Sequence, residues 1–347
     1  MFAVLQTAFL GDTVLTTPLI AALARRGPVH VVTTPAAAPL LANNPAVASV
    51  IVFDKRGGDA GIAGVRRVAS RLRATGATTA ILAQGSLRTA ALSRLAGIPR
   101  RIGFASSPGR VLYTARIEYR RDLHHAGRLL MLDPDFTAGT ALPSGAALRP
   151  SLYPGAGDAA AVRALLHGAG IPDDAPLVAL APGSVWATKR WPSYDALAQR
   201  LATLARTRDA RIVVLGGSGD APLAAAISAA LTTMDRPAAL DATGKLSLLA
   251  SAALIGRARV LVTNDSAPLH LASAMNTPTV ALFGPTVPAF GFGPLADSAA
   301  VLGHDALSCR PCDAHGPKQC PLGHWRCMRE LSEIAVGDAV ERIAALP

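Results

Sequence analysis

Short apolar runs alternate with longer stretches in which apolar positions recur every three to four residues, and this rhythm holds as far as Leu130. FAVLQT near the start, then VHVVTT, SVIVF and TTAILA, have the length and β-branched content of buried strands. LTTPLIAALARR, a Leu/Ala/Asn segment ending near Asn44, and VRRVASRLRATG fall between them and predict crossover helices. Strand followed by helix followed by strand implies a parallel sheet, because parallel neighbours need a long connection. From Asp133 to Gly157 the chain turns to Pro, Gly, Ala and Thr without a period, which is the composition of a linker.

The rhythm then restarts. PLVALAP, RIVVLGG, a short run near Ala239–Asp241, RVLVTND and PTVALFG predict strands. WPSYDALAQRLATLAR, APLAAAISAALT, LSLLASAALIGR and APLHLASAM predict the helices between them, and ELSEIAVGDAVERIAALP a closing helix. The expected architecture is α/β, with two Rossmann-like doubly wound domains, residues 1–150 and 151–347, facing a central cleft at the carboxyl ends of their strands. A length of 347 residues suits two domains of about 150 each.

Composition narrows the class. Half the residues are apolar and 4% aromatic, which suits a packed α/β protein rather than a disordered chain. No run of 18 apolar residues is free of charge, and Met1–Leu10 reads as a first strand rather than a signal peptide, so a cytoplasmic location is expected. The net charge of +11 is concentrated: Lys55 to Arg128 carries fifteen Lys/Arg against Asp59, Glu118 and Asp122, leaving the remainder close to neutral. Such a segment implies an anionic partner, a phosphorylated glycolipid or a membrane surface, or it is an Arg-rich solvated face. No aromatics interleave with the cations as in single-strand binders, so no nucleic-acid partner is expected.

Four places carry candidate chemistry. Gly11, Asp12 and Thr13 fall where the first strand gives way to its helix. There Asp12 is either a general base for an incoming hydroxyl or, like Thr13, a helix cap. Ala181-Pro182-Gly183-Ser184 with Thr188-Lys189-Arg190-Trp191-Pro192 joins hydroxyls, backbone N–H groups and two cations at a helix start. This is an anion site suited to a diphosphate, unless the cations are solvated loop charges. Asp265 and Ser266 end a strand and open a helix, with His270 one turn on. They suit sugar hydroxyls and a phosphate oxygen, or a plain N-cap with a core histidine. Gly284 and Thr286, after the next strand, and Gly216-Gly217-Ser218-Gly219 either line a nucleotide pocket or are ordinary turns. Neither fits a G-x-G-x-x-G or P-loop pattern.

All four cysteines, Cys309, Cys312, Cys320 and Cys327, lie in one short segment as C-x2-C-x7-C-x6-C. In a reducing compartment this spacing suits a structural zinc site. Disulfides and free thiols are the alternatives.

QTAFLGDTVLTTPLIAAL, APGSVWATKRWP, TNDSAPLHLASAMNTPTVALFGPT and CPLGHWRCM, in that order, resemble the ADP-heptose:lipopolysaccharide heptosyltransferases of glycosyltransferase family 9, most closely the type II group. The resemblance implies a GT-B fold, an acceptor-binding N-terminal half with Gly11 and Thr13 beside the substrate, and a C-terminal half that binds an ADP-sugar. It implies an inverting, metal-independent transfer of heptose to the inner core of lipopolysaccharide, at the inner face of the inner membrane. By motif, Asp12 would be the base and Lys189 the diphosphate partner. Asp265 and Ser266 would hold donor heptose and phosphate, supported by His270, with Gly183, Ser184, Thr188, Gly284 and Thr286 completing the donor pocket. Ala267 stands where the family often has Gly. A nucleotide-sugar 2-epimerase, a transferase using another nucleotide sugar, and a non-catalytic glycolipid binder are the alternatives.

Overall fold

The computed structural model describes residues 1–136, 144–204, 209–235 and 237–344. Residues 137–143 of the expected linker, 205–206 of the expected helix that starts at Trp191, and 345–347 of the closing helix lie outside the described residues. The chain divides between Tyr153 and Pro154 into two compact units.

The first unit holds strands β1 (Phe2–Gln6), β2 (Val29–Thr33), β3 (Ser49–Val52), β4 (Thr79–Leu82), β5 (Arg100–Phe104) and β6 (Ala115–Ile117). Its helices are α1 (Leu10–Leu15), α2 (Thr17–Ala24), α3 (Gly61–Ala74), α4 (Leu87–Leu95) and α5 (His125–Leu130). The sheet runs β3-β2-β1-β4-β5-β6, and every pair is parallel. Leu5, Val32, Phe53, Leu72 and Leu82 are fully buried in one cluster. Each such side chain contributes about 1.5–3 kcal/mol by leaving water. In α3, Val68, Ala69 and Leu72 face that core while Arg66, Arg67, Arg71 and Arg73 face solvent, the amphipathic stripe its sequence predicts.

The second unit repeats the plan with β7 (Leu177–Ala181), β8 (Arg211–Val214), β9 (Leu240–Asp241), β10 (Val260–Asn264), β11 (Thr279–Phe283) and β12 (Ala299–Gly303). Its helices are α6 (Ala156–Gly168), α7 (Tyr194–Leu201), α8 (Ala221–Thr232), α9 (Leu248–Arg257), α10 (Ala267–Met275), α11 (Arg326–Arg329) and α12 (Glu333–Ile343). The order is β12-β11-β10-β7-β8-β9, again all parallel. The strand order reverses between β7 and β10, and in the first sheet between β1 and β4. Loops that leave adjacent strands in opposite directions open a crevice at such a point, where α/β sheets bind ligands.

The sequence reading passes over three strands. β5 opens on Arg100-Arg101 and β6 is a three-residue edge, while β12 at the other sheet's edge alternates exposed and half-buried residues. Neither β5 nor β6 presents a continuous apolar run, and that of β12, Ala299 to Leu302, is short and only half-buried. Among the described residues no helix is long and apolar enough to cross a membrane.

Candidate functional site

In the second unit the candidate residues gather at the switch point. β7 delivers the loop from Pro182, and β10 delivers Asp265. Asn264, the last residue of β10, is fully buried and ties the two loops together. Its Nδ2 donates to the Pro182 carbonyl at 2.8 Å, and its Oδ1 accepts from the Trp191 N–H at 3.2 Å and the Tyr194 hydroxyl at 3.3 Å. A short 3₁₀ turn, Ala187–Lys189, then brings Lys189 inward. Its Nζ donates to Asp265 Oδ2 at 2.6 Å, and Thr286 Oγ1 donates to the same oxygen at 2.7 Å. Both members of the ion pair are nearly buried, with side-chain exposures of 10% and 11%. Lys189 is therefore no solvated loop charge. Two residues from separate loops thus converge on one carboxylate oxygen of a third.

Two hydroxyls around this centre already have partners within the protein. Thr188 is buried and its hydroxyl donates to the Pro317 carbonyl, which commits its proton within the protein. Ser266 stands at the N-cap position of α10, but its hydroxyl bonds the Asn264 carbonyl at 3.3 Å and no N–H of the helix. The first N–H groups of α10 are left without a side-chain cap, the arrangement that favours an anion at a helix start. His270 is buried with its ring edge-on to Phe292. Gly183 and Gly216 both lie against Asp220, whose carboxylate accepts from the Gly217 N–H at 3.0 Å; a β-carbon on either would strike it. Gly284 makes room for Met328. A cavity of about 340 Å³ shares Pro182 and Arg190 with the loop but is lined by Trp191, Ile227 and Trp325, not by Lys189, Asp265 or Thr286. The convergent polar groups, rather than that apolar cavity, mark the chemistry.

At the switch point of the first unit Asp12 is the third residue of α1. Phe9 holds the cap position, so neither Asp12 nor Thr13 caps the helix. The Asp12 carbonyl accepts from Thr16, but its carboxylate is given no donor by the described residues, and desolvation pushes it up to about 6. Removing a carboxylate from water without a compensating donor disfavours the charged form. Thr13 is buried and its hydroxyl donates to the Phe9 carbonyl at 3.3 Å, which commits its one proton and leaves its lone pairs; Gly11 is also buried. Beside them Thr7 Oγ1 donates to Gln84 Oε1 at 3.0 Å, and Lys55 Nζ reaches the Thr7 carbonyl. Burial, with Arg56 and Arg88 nearby, pulls the Lys55 ammonium down from its ordinary range.

The four thiols are free. Cys312, Cys320 and Cys327 line one small pocket with Pro317 and Trp325. Burial opposes ionisation of Cys320, but N–H groups of Trp325, Leu322, His324 and Gly323 turned toward its sulphur bring its pKa below the ordinary value. Burial, reinforced by Cys312, pushes Cys327 up to about 11. Among the described residues no three His, Cys, Asp or Glu side chains are gathered so as to hold a metal ion.

The chain matches the profile of glycosyltransferase family 9 (heptosyltransferase) over residues 65–325. It belongs to that family. Lipopolysaccharide heptosyltransferase 2 of Escherichia coli K12 is 26% identical over 307 residues, covering 86% of each chain. Lipooligosaccharide heptosyltransferase 2 of Haemophilus influenzae is 34% identical over 128 residues, a stretch covering 37% of this chain and 36% of that protein. The solved ADP-heptose heptosyltransferase II of E. coli superimposes with a TM-score of 0.79 at 23% identity, covering 99% and 98% of the two chains. That likeness identifies the fold as GT-B. The family's type II members are the relatives the motifs indicated.

Proposed function

We propose that this protein is an inverting heptosyltransferase that moves heptose from ADP-heptose to the inner core of lipopolysaccharide, in the cytoplasm at the inner face of the inner membrane. The observation that carries the reading is the convergence of Lys189 and Thr286 on Asp265 at a strand-order switch point. Asp265 meets the donor's sugar hydroxyls. Lys189, held in place by Asp265, turns part of its charge to the diphosphate, joined by Ser184 and the uncapped N–H groups at Ser266. Asp12 serves the acceptor. Its carboxylate takes the proton of the attacking hydroxyl as the new C–O bond forms at the anomeric carbon. The bond to the diphosphate oxygen breaks with its electron pair, and ADP leaves with its charge balanced by Lys189. One base and one displacement invert the anomeric centre.

No step uses a divalent metal. Turnover with ADP-heptose and a core glycolipid should therefore persist through brief EDTA treatment; immediate loss restored by Mg²⁺ would overturn this part of the mechanism. ADP should appear only when acceptor is present. Conversion of the nucleotide sugar without acceptor would identify an isomerising enzyme instead, and binding without turnover a glycolipid-binding protein.

We also propose a structural zinc at Cys309, Cys312, Cys320 and Cys327, supported by four sulphur donors and the N–H groups around Cys320. The thiols must draw together to bind it. Metal analysis of protein purified without chelator should find about one zinc per chain, and a chain that is active without metal and takes up none would remove it.

A further inference from the structure

The segment that carries the cysteines also reaches the donor-site residues. Arg310, between Cys309 and Cys312, is almost wholly buried, with 4% of its side chain exposed. Its guanidinium reaches three main-chain carbonyls at the end of β11 and in the loop that follows. Nη2 donates to the carbonyls of Phe283 at 2.9 Å and Thr286 at 3.2 Å, and Nε donates to that of Gly284. The Cys312 N–H adds a bond to the Pro285 carbonyl at 2.9 Å. Every backbone carbonyl from Phe283 to Thr286 is thus held by this one segment. Thr286 in turn presents its hydroxyl to Asp265 Oδ2.

We propose that Arg310 is a positioning residue for the donor site: by clamping the 283–286 loop it fixes Thr286, and through Thr286 the carboxylate of Asp265. The proposal rests on the reading of Asp265 and Thr286 as donor-binding groups. Several features separate this role from ordinary packing. A guanidinium spends its planar fork on carbonyls that a helix or sheet would otherwise satisfy, and a lysine, with one point charge, cannot span them. Room is kept for it, since a β-carbon at Gly303 would stand 2.7 Å from Arg310 Nη2. The same segment also bears on the other side of the centre. Gly316, with φ near +84°, lets the backbone pass so close that a β-carbon would lie 3.0 Å from Lys189 Cε.

The test uses the full-length enzyme with ADP-heptose, comparing Arg310→Lys, Thr286→Val and the double variant by calorimetry and by steady-state kinetics. Arg310→Lys should raise the donor Kd and KM by roughly tenfold, with acceptor KM unchanged. The double variant should bind donor no worse than Thr286→Val alone, because the arginine acts through the threonine. Additive losses, or an Arg310→Lys enzyme within twofold of wild type, would overturn the proposal. If Arg310→Lys does not fold, Gly303→Ala, whose β-carbon crowds both the guanidinium and the Phe283 carbonyl it holds, carries the same pair of outcomes. Asp265→Asn is measured alongside. If that variant binds donor normally, the donor-site reading itself has failed; if it binds poorly while the arginine variant is normal, only the positioning role has.

Discussion

At the scale of single residues, Asp12 sets the most direct expectation. Desolvation with no donor to its oxygens pushes the half-buried carboxyl up to about 6, so the carboxylate is a stronger base than an exposed one and still mostly ionised at neutral pH. Transfer should fall about tenfold per pH unit below 6, and Asp12→Asn should lower kcat by roughly 10²–10⁴ with donor Kd unchanged. A pH-independent rate between 5 and 7 would remove the assignment. The same burial has a thermodynamic sign. A raised carboxyl pKa means the native state binds the proton more tightly than the unfolded chain. Folding stability therefore declines as pH rises from about 4 to about 6 and stays reduced above that window. Asp12→Asn should accordingly be more stable at pH 7.5 by up to about 3 kcal/mol, and the gain should vanish below pH 4, as read from urea unfolding. What sequence made legible at this scale was which residues bear the chemistry. Lys189, Asp265 and Thr286 lie in three separate loops, and the single oxygen they share is visible only in space. Hydroxyl direction was equally hidden: Thr13 and Thr188 both donate to main-chain carbonyls, which no spacing in the sequence shows.

At the scale of elements, the ends of β7 and β10 hold one another through Asn264. It closes the strand that RVLVTND predicts, and it is fully buried with three side-chain hydrogen bonds to the β7 side. Asn264→Ala would leave the Trp191 N–H and the Pro182 carbonyl buried without partners. A loss of about 2–3 kcal/mol is expected in chemical unfolding, accompanied by weaker ADP binding, because Lys189 hangs from the same turn. An unchanged unfolding midpoint would mean that the loops are held elsewhere. Most strands and helices were legible because their apolar period is unbroken, as in APLAAAISAALT and APLHLASAM, which fold as α8 and α10. β6 and β12 escaped because edge strands bury only part of their side chains, and β5 because it opens on two arginines. Arg310 is hidden in the sequence because the cysteines on either side of it point to metal.

At the scale of the whole molecule, the basic segment from Lys55 to Arg128 shrinks when its contacts are counted. Arg128 is buried against Tyr119 and two main-chain carbonyls, Arg101 bonds the carbonyls of Ile98, Pro99 and Leu112, and Arg67 and Arg120 pair with Asp59 and Asp122. Composition could not separate these structural cations from free ones. Arg56 and Arg66 are exposed and better suited to an anionic leaflet than Arg67. Each surface cation near such a leaflet contributes about 1 kcal/mol, so Arg56→Glu with Arg66→Glu should reduce co-sedimentation with anionic vesicles by roughly tenfold or more and raise acceptor KM, leaving donor affinity alone. Equal sedimentation with neutral and anionic vesicles, in wild type and variant alike, would end the membrane proposal.

The uniformly parallel pairing of both sheets has a kinetic consequence. No two neighbouring strands can meet as a hairpin, so each pairing must wait for a crossover to close, and high contact order slows folding. The chain meets this by finishing one sheet before starting the next: all six strands of the first unit end by Ile117, before Pro154. On the ribosome, the N-terminal half can complete its core while the half that carries Lys189 and Asp265 is still being made. A stalled nascent chain ending shortly after residue 190 should already resist protease up to Tyr153.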